Sequence, residues 1–99
     1  MVRLAELLNG DKSVFIEFYA SWCPHCQRMR PIIESLCKKE DRLRVQTYDI
    51  DSPSNRSLVE YYKVQSVPTM LLFKNGEQVW RQSGEIPLEQ LEEIIERFG

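Results

Sequence analysis

Long apolar runs are missing from this chain. The longest, Met70-Leu71-Leu72-Phe73, has four residues, against the roughly 20 that a membrane-spanning helix needs. No membrane span and no membrane partner are expected. The first residues, Met1-Val2-Arg3-Leu4-Ala5-Glu6-Leu7-Leu8, lack the long apolar region and small-residue cleavage site of a secretory signal. The expectation is a cytoplasmic protein, with an extracytoplasmic mature fragment as the alternative. An excess of one charge is also missing: 13 Lys and Arg stand against 15 Asp and Glu, a net of −2, and the basic residues are scattered. That excludes an electrostatic footprint for nucleic acid. Cysteine and histidine are scarce, with three and one. Three cysteines are too few for a disulfide scaffold and leave one over if two pair. A structural zinc takes about four ligands, so no metal is expected. The chain shows no repeat, linker or low-complexity segment. What remains is 99 residues, 42% hydrophobic with 2 Trp, 4 Tyr and 4 Phe, enough for one domain, 1–99, with an ordinary core. A monomer is expected.

Against these absences one stretch stands out, Trp22-Cys23-Pro24-His25-Cys26. It follows the apolar run Val14-Phe15-Ile16-Glu17-Phe18-Tyr19 and precedes a helical pattern. A strand feeding a helix through Cys-X-X-Cys reads as a thiol–disulfide redox site. A Cys23–Cys26 bridge closes too short a loop to constrain the unfolded chain much, so stapling does not explain it. Attached haem needs a His directly after the second cysteine, and Gln27 stands there.

The remaining elements follow from periodicity. Leu4, Leu7 and Leu8 share a helical face over 1–9, and Asn9-Gly10 supplies a stop. Residues 13–19 read as a strand buried on both faces, with Glu17 as the anomaly, because a buried carboxyl is costly unless paired or protonated. Residues 24–39 carry the strongest helical stripe: Met29, Ile32, Ile33, Leu36 and Cys37. Pro24 fits the first helical position, and Pro31 predicts a kink inside the helix. A second strand spans 43–49, and a short helix spans about 54–62 with Leu58, Val59 and Tyr62 inward. Strands over 69–74 and 77–82 are joined by Asn75-Gly76, a hairpin signal. Gly84 breaks the last strand, and Pro87 opens a final helix with Leu88, Leu91, Ile94, Ile95 and Phe98 on one face. The order is a helix followed by βαβαββα, an α/β fold with helices covering both faces.

Helix geometry separates the two motif cysteines. Cys26 leads the buried stripe with Met29 and Ile33. Cys23 precedes the helix at its N-cap, where free backbone N–H groups and the positive end of the helix dipole favour a thiolate. Cys23 is the expected nucleophile and Cys26 the resolving thiol. A cationic His25 near Cys23 would lower its pKa further; the alternative is a solvent-exposed histidine without electrostatic effect. Glu17, six residues before Cys23, is either a proton relay to Cys26 or a satisfied structural carboxylate. Cys37 is expected as a buried core thiol, the alternative being regulatory oxidation or a crosslink. Asp49-Ile50-Asp51 is expected to end a strand and begin a helix rather than bind metal, and Tyr61 and Tyr62 are expected to pack the helix.

Over essentially its whole length the chain resembles the thioredoxin family. Phe18-Tyr19-Ala20-Ser21-Trp22-Cys23, the helix proline Pro31, Val67-Pro68-Thr69, Phe73-Lys74-Asn75-Gly76-Glu77 and Gly84 carry the resemblance. It implies a thioredoxin fold around a mixed four-stranded sheet, lacking the family's initial strand, with the extra N-terminal helix. It also implies a cis Pro68 facing Cys23 and Cys26, and a shallow substrate groove bordered by Trp22, Pro24, Val67, Pro68 and Gly84. The implied activity is thiol–disulfide exchange with protein thiols and disulfides, with no cofactor beyond the dithiol itself and with a reductase or oxidase partner to reset it.

Three departures bear on direction. The dipeptide Pro24-His25 is similar to that of periplasmic disulfide oxidases rather than the Gly-Pro of thioredoxin. The buried acid is Glu17, as in protein disulfide isomerase domains. Thr47 stands where thioredoxin has a lysine. Potentials run from about −270 mV for thioredoxin to about −120 mV for the strong oxidase, a gap of roughly 7 kcal/mol. A thioredoxin-like reductase is the expected function. The alternatives are a more oxidising oxidase or isomerase and a non-catalytic interaction module.

Overall fold

Apolar residues occupy both faces of Ser13–Tyr19 (β1), and such a strand is stable only where both faces are covered. The computed structural model, which describes residues 13–98, places β1 inside a four-stranded sheet of order β2-β1-β3-β4. Leu43–Asp49 (β2) runs parallel to β1, with Glu17 opposite Thr47 in register. Thr69–Lys74 (β3) pairs antiparallel on its other side, and Glu77–Ser83 (β4) returns from β3 as a hairpin. The hairpin turn puts Asn75 at φ 53° and Gly76 at φ 81°, the left-handed pair that a two-residue turn between twisted strands requires. The expected boundaries match closely, and β4 extends one residue further, to Ser83.

Alternation along the strands sorts the core into two layers. Phe15, Met70 and Leu72 face Pro24–Lys39 (α1) and Leu88–Phe98 (α3), packing with Met29, Leu36, Ile86 and Leu91. Val14, Ile16, Phe18, Leu71 and Phe73 face the opposite way, against Leu58, Val59, Tyr62 and Val64. Glu17 is an odd-numbered neighbour of Phe15, so the pleat turns it toward the α1 side. Helices thus cover both faces. The helix expected over 1–9 lies outside the described residues. No helix among the described residues is long and apolar enough to cross a membrane.

Three expectations need correction. The segment expected as one helix over 54–62 opens as a 3₁₀ turn, Pro53–Asn55, and becomes α-helical at Arg56–Tyr61 (α2). Tyr61 does not pack inward: it is 76% exposed, with its ring edge-to-face against Tyr62 at 4.9 Å between ring centroids. Two adjacent tyrosines stand roughly 100° apart on a helix, so a single apolar face takes one of them. Cys37 is exposed rather than buried. At eight residues past Met29 it has drifted roughly 80° from the stripe's centre, whereas Leu36 stays close to that centre and is 0% exposed.

Leu36→Ala is expected to cost about 2–5 kcal/mol by opening a cavity, and Cys37→Ala less than about 0.5 kcal/mol. Urea denaturation of the two variants checks this.

Candidate active site

The strand β1 delivers the chain to the start of α1, and Cys23 caps that helix. Its backbone is extended (φ −87°, ψ 117°), and Pro24 follows at the first turn. The Cys23 N–H donates to the Ala20 carbonyl at 3.2 Å, and the Cys23 carbonyl accepts the Gln27 N–H at 3.0 Å. The sulfur therefore sits where a capping oxygen normally does, accepting the Cys26 N–H at 3.4 Å. As a thiol it donates to the Val67 carbonyl at 3.6 Å. Cys23 and Cys26 form a small apolar cluster with Ala20, edged by Tyr19, Ile50 and Val67.

Burial pushes the Cys23 thiol pKa up, but more pulls it down: the Cys26 N–H, the Cys26 thiol, the His25 N–H and the charge of Arg28. The net result is a thiol below its ordinary value. Cys26 goes the opposite way, pushed up to about 12, first by burial and then by the Cys23 and Glu17 charges. The two environments favour a thiolate at Cys23 and a protonated thiol at Cys26.

Glu17 lies on the Cys26 side. It is 4% exposed, and its Oε2 finds no hydrogen-bond partner. Burial pushes its pKa up to about 7. An open groove of roughly 480 Å³ is lined by Glu17, Cys26, Thr47, Arg30, Glu34 and Cys37. It gives the carboxyl and the buried thiol a common face toward solvent. A carboxyl poised near neutrality beside a buried thiol is chemically able to take up or release its proton.

The opposite border is built by loops. The Val67–Pro68 peptide is cis. The Pro68 carbonyl accepts the Gly84 N–H at 2.9 Å, and the Thr69 hydroxyl donates to the Ser66 carbonyl at 2.6 Å. Gly84 has φ +96°, a conformation that a side chain strains. Trp22 is 63% exposed and donates its Nε1–H to Asp51 Oδ2 at 2.8 Å. Asp51 in turn donates its N–H to Asp49 Oδ1 at 2.9 Å. Trp22, Val67, Pro68 and Gly84 are thus tied into the loops around the cysteines. Asp51 was not legible as a partner of Trp22, because nothing in the spacing of two residues 29 apart announces the contact.

The His25 ring is turned toward Glu85. Its Nδ1 lies 2.6 Å from Glu85 Oε2 and 2.9 Å from Arg28 Nη2. Its help to the Cys23 thiolate comes from its backbone N–H, and the positive charge acting there is that of Arg28. Arg28 grips Glu85 through Nε–Oε1 and Nη2–Oε2, each 2.9 Å. Arg28 first, and His25 after it, hold the Glu85 carboxyl down at about 2. Among the described residues no three His, Cys, Asp or Glu side chains gather as a metal site.

Two outcomes follow. Glu17 has a folded pKa of about 7 against an ordinary 4.5, so the folded state holds its proton longer than the unfolded state does. Stability is then lost as pH rises through that window. Glu17→Gln is expected to be about 2 kcal/mol more stable than the parent above neutrality, with the gap closing in mild acid; denaturation across pH measures it. Arg28→Ala is expected to raise the Cys23 thiol pKa by removing the positive charge acting on it, read by ultraviolet thiolate absorbance.

Comparison with known proteins agrees with this geometry. The family model described as thioredoxin matches residues 4–97. A thioredoxin-like protein of Synechocystis is 38% identical over 97% of this chain and 89% of its own length. A thioredoxin of Rickettsia bellii is 37% identical over 92% of this chain and 83% of its own. The chain spans about half the length, 54%, of the chloroplastic thioredoxin Y of rice, to which it is 37% identical. Among solved structures, a mutant thioredoxin from Halobacterium salinarum superposes with a TM-score of 0.86 at 35% identity, covering 96% of this chain and 81% of that one. With a β-strand entering a Cys-X-X-Cys helix cap opposite a cis proline, and with relatives matched over nearly its full length, this chain belongs to the thioredoxin family, the thiol–disulfide oxidoreductases.

Proposed function

We propose that the protein reduces disulfides of protein substrates, with Cys23 as nucleophile, Cys26 as resolving thiol and Glu17 as proton relay. The opposed environments of the two cysteines carry this reading: Cys23 is lowered at a helix cap, and Cys26 is raised by burial behind it. The Cys23 thiolate attacks one sulfur of a substrate disulfide. That S–S bond breaks, a Cys23–substrate disulfide forms, and the departing substrate thiolate takes a proton. Cys26 loses its proton to Glu17 and attacks the Cys23 sulfur. The second substrate thiolate leaves, and the protein holds a Cys23–Cys26 disulfide. Two electrons have moved to the substrate, and an external dithiol reductant restores the pair.

Trp22, Pro24, Val67, Pro68 and Gly84 border the surface where an extended substrate segment would lie. The Val67 carbonyl, already the acceptor for Cys23, is aimed at the reacting sulfur. The reductase direction is supported by His25. Its ring Nδ1 is turned to Glu85, so that donor is not spent on the Cys23 thiolate. The exposed, unpaired Cys37 suits a reducing compartment such as the cytoplasm.

Reduction of insulin disulfides by the protein, driven by dithiothreitol, is the direct test. Cys23→Ser is expected to abolish turnover, and Cys26→Ser to accumulate a mixed disulfide with substrate. Full activity of Cys23→Ser would favour a non-catalytic interaction module instead. Titration against glutathione is expected to give a midpoint closer to about −270 mV than to about −120 mV; the opposite result would make the protein an oxidase.

A further inference from the structure

We propose that Glu85 is a positioning residue that keeps the Cys23–Cys26 couple reducing, by binding the Arg28 and His25 side chains that flank Cys23. The inference rests on thiol–disulfide exchange as the site's activity.

The backbone around Glu85 is anchored on both sides. The residue before it, Gly84, is fastened by its N–H to the Pro68 carbonyl at 2.9 Å. The residue after it, Ile86, is 1% exposed and donates its N–H to Met29 Sδ at 3.4 Å. These anchors hold the Glu85 backbone between the cis-proline loop and the first turns of α1. Its carboxylate takes the Arg28 guanidinium in a two-bond fork, each bond 2.9 Å, and Oε2 also takes His25 Nδ1 at 2.6 Å. A carboxylate has no proton to give, so the proton in that short contact belongs to Nδ1. The imidazole is thereby turned to Glu85 and spends its Nδ1 donor there. Arg28, at i+3 from His25, is drawn into the same knot.

The charges around Cys23 come from several elements. Arg28 and His25 stand on α1 with Cys26. Glu85 stands on the segment between β4 and α3. Glu17 lies behind Cys26 on β1, and Asp51 lies beyond Trp22 at the end of β2. Of these, Arg28 is the cation that acts on the sulfur, and Glu85 is the anion paired to it. Removing the Glu85 charge leaves Arg28 uncompensated and frees the Nδ1–H donor of the His25 ring to turn to the thiolate. Both changes favour the thiolate, and a more favoured thiolate means a more oxidising disulfide. Pro24-His25 is the dipeptide of the oxidising relatives; on this reading Glu85 cancels the part of its effect that the imidazole would supply.

Glutathione redox titrations of the parent, His25→Ala, Glu85→Gln and the double variant test this. Glutamine keeps the shape, and its amide oxygen still accepts from Arg28. Glu85→Gln is expected to shift the equilibrium about five- to tenfold toward the dithiol, about 30 mV in the tenfold case, with a lower Cys23 thiol pKa by ultraviolet absorbance. His25→Ala is expected to change the parent by less than about twofold, and the Glu85→Gln variant by about threefold or more, back toward the parent. Three results would each overturn the proposal: an equilibrium constant for Glu85→Gln within twofold of the parent, a shift toward the disulfide, or an equal effect of His25→Ala in both backgrounds. A parent chain that forms no reversible Cys23–Cys26 disulfide would instead refute the exchange reading.

Discussion

The site depends on a sulfur standing in for the capping oxygen of a helix. The first N–H groups of α1 have no carbonyls to bond within the helix, and the Cys26 N–H turns to the Cys23 sulfur at 3.4 Å. That contact gives the helix its cap and lowers the cost of a thiolate on the sulfur. Everything nearby serves to hold it in place. The strand β1 delivers the chain at the right height. Pro24 begins the helix without leaving a donor unmet. The cis-proline loop, held by Gly84, presents the Val67 carbonyl on the sulfur's other side.

Beneath the cap, the fold keeps a carboxyl and a thiol where neither ionises easily. Glu17 is buried without a partner for Oε2, and Cys26 is buried behind Cys23. An ion in either place costs desolvation, which keeps the Cys26 thiol protonated and brings Glu17 to about 7, where its carboxylate is populated and able to take the Cys26 proton. The Glu17 side chain lowers stability at neutral pH, and a core of Phe15, Met29, Leu36 and Met70 absorbs that loss. Such a concession is expected at a working site and nowhere else in the sheet.

The charged residues on the rim of the cap moderate it. Arg28 strengthens the thiolate, while Glu85 offsets Arg28 and holds the His25 ring. The motif's dipeptide alone is therefore a poor guide to redox poise. The same Pro-His pair acts differently according to what the segment after Gly84 brings against it.

Much of this was readable in the chain. Short apolar runs in the strands and a period of 3.6 in α1 and α3 set the elements and their order, because burial of an apolar face depends only on spacing along one element. The same logic made Cys23 the cap and Cys26 the inward thiol, and marked Glu17 as out of place. It went wrong at the stripe's edges: Cys37 and Tyr61 carry the right residue types, yet sit a fraction of a turn outside the buried arc. What only the tertiary structure decided are contacts between elements far apart in sequence. Asp51 holding Trp22, Gly84 fastening Pro68, and above all Glu85 capturing His25 and Arg28 across 60 and 57 residues belong to this class. No periodicity records such pairings, because they arise from where the sheet order and the loops put two surfaces. The redox-active pair was therefore written in the sequence, and the charges that tune it were settled by the fold.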